Sequence, residues 1–155
     1  MRSIARQKLG YFPLSPTEAE RIRRFLTFPG EDSTVLDPCA GTGTALGCIT
    51  SGTRASRFAV ELDAYRAEKA GTIVNQLIQG NCFDVQCAVE SFSLLFLNPP
   101  YDHEISEGRN ARMERLFLEH TYRWLKPAGV LVLVIPGNRL SECIDVLAVH
   151  FREKA

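Results

Sequence analysis

The chain has 155 residues, enough for one hydrophobic core and too few for two comfortable domains. Its 45% hydrophobic and 23% charged residues are ordinary for a globular protein, and no apolar run could cross a bilayer or follow the basic start at Met1 as a secretion signal. Zero net charge, from 18 basic and 18 acidic residues, excludes a chain that wraps nucleic acid by charge alone.

A cytoplasmic protein with no membrane partner is the expectation. Five cysteines and three histidines lie too far apart for zinc-ligand spacing, so no metal is expected and the cysteines read as reduced, mostly core residues.

In chain order, residues 1–24 carry Arg2, Arg6, Lys8, Arg21, Arg23 and Arg24 against Glu18 and Glu20. This reads as a solvated helix face in preference to a phosphate-facing edge. Ser15-Pro16-Thr17-Glu18 predicts a helix start, with an N-cap serine, proline at the first position and an acid in the first turn. That helix is expected to run to just before Pro29-Gly30. A short strand over 34–37 ends on Asp37, and Ala40-Gly41-Thr42-Gly43-Thr44 turns into a helix. A second strand over 57–61 ends on Glu61, followed by a helix over 64–73 and a possible strand over 75–79. The apolar run Ser93–Leu97 is the next strand. A helix over 111–125, a strand over 130–135 and a helix over 140–151 complete the pattern, with the polar stretch Asp102–Asn110 as the best mobile-loop candidate. Strands alternating with helices predict an α/β fold: a Rossmann-like, doubly wound, mainly parallel sheet in one domain, 1–155. Residues 1–30 form its N-terminal segment and helix, and 31–155 its core.

Ligands in such sheets collect beyond the carboxyl ends of the strands. Asp37 stands at one such end, before a turn in which Gly41 and Gly43 allow close backbone approach. Glu61 ends the next strand, 24 residues on, near the position from which an acid bonds ribose hydroxyls. The full Gly-x-Gly-x-x-Gly pattern is missing, which favours a nucleoside-like ligand over a dinucleotide and counts against a dehydrogenase. Asn98-Pro99-Pro100-Tyr101 follows the 93–97 strand. Two prolines fix a stiff exit with free carbonyls, Asn98 adds a side-chain acceptor, and Tyr101 adds a flat ring. Two acceptors and a ring suit a planar group bearing an NH2.

Asp37-Pro38-Cys39-Ala40-Gly41-Thr42-Gly43 and Asn98-Pro99-Pro100-Tyr101 together resemble the two motifs of S-adenosylmethionine-dependent amino-methyltransferases, over about residues 10–150. The resemblance is closest to N6-adenine methyltransferases. It implies S-adenosyl-L-methionine as cofactor, with Asp37, Pro38, Cys39, Gly41 and Gly43 around the methionine moiety, Glu61 on the ribose and Leu62 against the adenine. Asn81 and Cys82 would border that adenine, Asn81 standing where the family has an acid, with Asp84 as the fallback. Phe12 and Ser15 lie in a segment similar to the family's N-terminal cofactor cover, with altered spacing. Asn98, also counted among the cofactor-binding residues, and Pro99 would accept the bonds of the reacting amine, Pro100 would stiffen the turn, and Tyr101 would stack on the base. Nucleic acid is the implied substrate, DNA ahead of RNA; a protein glutamine, or a non-catalytic binding role, remains the alternative. The family pattern continues with two further strands and a target-recognition region. That implies either a fragment or a minimal module served by a separate recognition domain or subunit, with an open sheet edge. Arg109, Arg112 and Arg115 are phosphate-contact candidates, though interleaved Glu104, Glu107 and Glu114 favour a solvated face.

Overall fold

The computed structural model describes residues 11–101, 103–106 and 109–151. Helix α1 (Pro16–Arg23) starts as expected, the Ser15 hydroxyl accepting the Glu18 N–H at 3.2 Å. It ends earlier than expected. The amides of Arg24, Phe25 and Leu26 bond three residues back, and the Arg23 guanidinium takes the Leu26 carbonyl at 3.0 Å.

Strands β1 (Thr34–Asp37), β2 (Ser56–Glu61), β3 (Gln76–Gln79), β4 (Phe92–Leu97) and β7 (Leu125–Leu133) form one sheet in the order β3-β2-β1-β4-β7, all pairs parallel. Helices α2 (Thr44–Ile49), α3 (Ala64–Gly71), α4 (Met113–Thr121) and α5 (Ile144–His150) connect and flank them. β1 and β4 read as near-continuous apolar runs because both their faces are covered. Ala19, Val35, Leu46, Ile49 and Phe96 pack on one face; Leu36, Leu95, Leu97, Phe117, Leu118 and Trp124 pack on the other.

Two expectations need correction. Strand β7 starts at Leu125, well before residue 130, because Ala128 adopts φ 62 and the register on β4 shifts between Phe92 and Leu94. Lys-Pro-Ala-Gly therefore forms an irregularity within the strand, where its residues suggest a turn. The stretch proposed as a mobile loop contains an antiparallel hairpin, β5 (His103–Ser106) with β6 (Arg109–Arg112). Arg2, Arg6, Lys8, Asp102 and Glu107 lie outside the described residues.

Candidate functional site

Three strands of this sheet, β1, β2 and β4, deliver the sequence-predicted residues to one end. Asp37 is 2% exposed, and its Oδ1 accepts the Cys39 amide at 3.0 Å. Burial pushes its carboxyl up from 3.8 to about 7; the Cys39 amide pulls the other way, and the charge of Glu61 adds to the rise. Gly41 and Gly43 hold φ values of 57 and 77, which only glycine adopts without strain. A Cβ at Gly43 would meet the Ala70 backbone at 3.1 Å, so α3 seats directly on the turn.

Glu61 is 4% exposed and accepts bonds on both carboxylate oxygens. Its Oε2 accepts the Gly41 amide at 2.7 Å, and its Oε1 accepts the Asp63 amide at 2.9 Å and the Arg66 guanidinium at 2.7 and 2.9 Å. Arg66 is itself buried, and the Tyr11 ring lies over it with 4.6 Å from the guanidinium carbon to the ring centroid. The same ring rests against Gly41, where any side chain would collide with it.

At the end of β4, Pro99 is fully buried and the Asn98 carbonyl accepts a bond from Cys39 Sγ at 3.3 Å. That thiol bond joins the glycine turn to the Asn-Pro-Pro-Tyr motif. Burial pushes the Cys39 thiol far up, with the charge of Asp37 adding to the effect. The Tyr101 hydroxyl donates to Asn98 Oδ1 at 2.9 Å, and Asn98 Nδ2 donates to the Phe12 carbonyl at 3.1 Å. One face of the Tyr101 ring carries the Phe12 ring, with centroids 5.4 Å apart and planes at 20°.

Asp37, Cys39, Ala40, Thr42, Thr44 and Asn98 line a cleft of about 320 Å³ counting its open mouth, and Tyr11, Pro13 and Leu14 form another wall. Phe12 lies outside that lining. It stacks on Tyr101. Asn81 Oδ1 accepts the Phe83 amide at 3.1 Å, capping a short turn, and keeps a second lone pair. Cys82 is buried in the core, where burial and the charge of Asp37 push its thiol up to about 12. Leu62 is exposed beside Glu61, as an adenine-packing residue would need to be, whereas Pro38 is fully buried beneath the turn. Ser15 caps α1, and Asp84 is exposed.

Arg112 and Arg115 are engaged in ion pairs within the chain. Arg112 pairs with buried Glu114 at 2.9 Å, and Arg115 reaches Asp145 at 2.7 Å and Glu119 at 2.8 Å. Glu114 is 1% exposed, so it belongs to the interior and not to a solvated face. Tyr11, Arg66 and Glu114 are the site-region residues that the motifs did not reveal. The signal for Tyr11 was its place beside Phe12 in an aromatic pair ahead of proline.

The chemistry of the cleft lining is compatible with the methionine end of S-adenosylmethionine: a buried acid stands beside a turn that Gly41 and Gly43 keep free of side chains. Toward Glu61 the fit requires Tyr11 and Arg66 to give way.

Solved structures share this fold. A candidate class I S-adenosylmethionine-dependent methyltransferase of Listeria monocytogenes superposes with a TM-score of 0.71 at 14% identity, over 86% of this chain and 50% of its own. The methyltransferase subunit of a type I restriction-modification system from Streptococcus thermophilus gives 0.69 at 20% identity, over 84% of this chain and 35% of its own. A geranyl diphosphate methyltransferase in complex with S-adenosylmethionine gives 0.63 at 15% identity, over 88% and 64%. The chain thus spans about half of the first of these proteins and about a third of the second. No curated protein matches it at a significant level. Residues 1–153 match the family described as "Uncharacterised methyltransferase family (DUF6094)", and with the Rossmann-like class I fold already described, the chain belongs to that methyltransferase family.

Proposed function

We propose that the protein transfers a methyl group from S-adenosyl-L-methionine to an amino nitrogen, and that this nitrogen is N6 of adenine in DNA. The observation that carries the reading is a single cleft lined by both Asp37 and Asn98. The cofactor supplies an electrophilic methyl group on a sulfonium centre. Asp37 and the backbone from Cys39 to Gly43 hold its methionine end, Glu61 its ribose, and Leu62 packs against its adenine.

On the acceptor side, the delocalised lone pair of an aromatic amine makes it a poor nucleophile. Asn98 Oδ1 has a second lone pair beside its Tyr101 bond, and the Pro99 carbonyl is the other acceptor. Together they draw both N–H bonds, favour a pyramidal nitrogen and stabilise the positive charge that develops on it. Burial raises the Tyr101 pKa, so its hydroxyl stays protonated and orients the Asn98 amide. The proton leaves an acidic ammonium, so no strong base is required.

The DNA assignment draws support from the restriction-modification neighbour and from the motif order. Arg112 and Arg115 are tied up in internal pairs, which supports a separate domain or subunit as the source of target recognition. Labelled S-adenosylmethionine offered with DNA, RNA and protein pools tests the reading. Label in DNA, recovered as N6-methyladenine, is expected. Label in RNA or in protein glutamine moves the acceptor, and cofactor binding without incorporation removes the catalysis.

A further inference from the structure

The segment Tyr11–Phe12 touches both halves of the site at once. Tyr11 covers Gly41 and Arg66 on the donor side, while Phe12 stacks on Tyr101 and offers its carbonyl to Asn98 Nδ2 on the acceptor side. Beneath Tyr11, the Glu61 carboxylate already accepts four donors, three of them on Oε1. A carboxylate oxygen offers about two good lone-pair directions, so Oε1 has no room for a ribose hydroxyl. Oε2, with the Gly41 amide on it, can take one. A diol grip on both oxygens therefore requires Arg66 to leave.

Phe12 is 53% exposed, so little hydrophobic burial holds it in place. One ring stack and one hydrogen bond retain it. Such a segment is retained when the site is empty and is displaced readily.

We propose that Tyr11 and Phe12 form a two-ended strap that closes the ligand-free site, and that Arg66 is the latch under its donor end. This rests on the donor reading given above. Cofactor entry moves Tyr11 off Gly41 and frees Glu61 from Arg66. Because Phe12 is the adjacent residue, the same movement strips its ring from Tyr101 and its carbonyl from Asn98. Filling the donor site thereby uncovers the acceptor site. The order of binding is cofactor first, and each ligand tightens the other by the same factor.

Calorimetry with S-adenosylhomocysteine tests the strap. Apparent affinity is reduced by the fraction of molecules that are open, so removing the strap tightens binding. Tyr11→Ala is expected to bind about five- to tenfold more tightly than the wild type. Tyr11→Phe, which keeps the ring, is expected to match the wild type. Phe12→Leu, outside the cleft lining, is expected to tighten binding as well, an effect that a purely local role for Phe12 would not produce. Hydrogen exchange over residues 11–14 should rise when the ligand is added. Weaker or unchanged binding by Tyr11→Ala, or ligand-induced protection of residues 11–14, overturns the strap while leaving the donor reading intact. No binding by either the wild type or Tyr11→Ala overturns both.

Discussion

From Asp37 to Thr44 the chain is held by backbone amides on buried carboxylates: Cys39 on Asp37, Gly41 on Glu61. Around Asn98–Tyr101 the holding bonds run through side-chain tips: the Tyr101 hydroxyl on Asn98, the Phe12 ring on Tyr101 and, farther out, the ion pairs of Arg112 and Arg115. Backbone-to-acid bonds fix a loop whatever its neighbours do. Side-chain tips can exchange one partner for another at little cost. The donor half is consequently a rigid socket, and the acceptor half is a surface whose partners can be replaced by an incoming ring.

Four measurements press on this contrast. The largest expected effect is on chemistry: Asn98→Ala should lower methyl transfer by about a thousandfold while leaving cofactor affinity nearly unchanged. Retained turnover would remove Asn98 from the mechanism.

The next concerns Asp37. Its carboxyl titrates at 3.8 when unfolded and at about 7 in the fold, so the folded state binds the proton more tightly between those values. The contribution of Asp37 to stability is full below pH 4 and is lost as pH rises to 7, by up to about 4 kcal/mol. Affinity for the positively charged cofactor should change in the opposite sense, rising through the same interval as Asp37 ionises. Urea titrations across pH should show the stability slope, and Asp37→Asn should flatten it.

Third, Glu114→Ala should cost about 3 kcal/mol in urea, because it leaves the Arg112 guanidinium largely buried without its main partner. Cofactor affinity, set in the other half, should barely move. Smallest is Arg115→Ala. Its partners are partly solvated, so a loss near the detection limit is expected, and salt should shrink it further.

The comparison also explains what could be read from the sequence. Val35-Leu36 and Leu94–Leu97 could belong only to buried strands, and Asp37, Glu61 and Asn98 follow from the register because each stands where a strand stops. The bond from Arg66 to Glu61 was hidden because it closes across a strand-to-helix turn, where spacing along the chain says little about direction. Strand β7 starts before its residues suggest, since Pro127 and Gly129 are turn formers that pairing with β4 overrides. The resemblance places the segment around Phe12 over the site, but the contacts of Tyr11 with Gly41 and Arg66 and of Phe12 with Tyr101 are not legible in the sequence. Aromatic rings declare that they will be covered, not by what.

The thiol of Cys39 has a further consequence. Its surroundings keep it protonated and it spends its hydrogen on the Asn98 carbonyl, so alkylating agents that enter the cleft find no thiolate in the closed protein. Displacement of Tyr11 opens the wall beside it. The rate at which iodoacetamide labels Cys39 would then act as a clock for site opening, read by mass spectrometry without substrate turnover: slow in the wild type and faster in Tyr11→Ala.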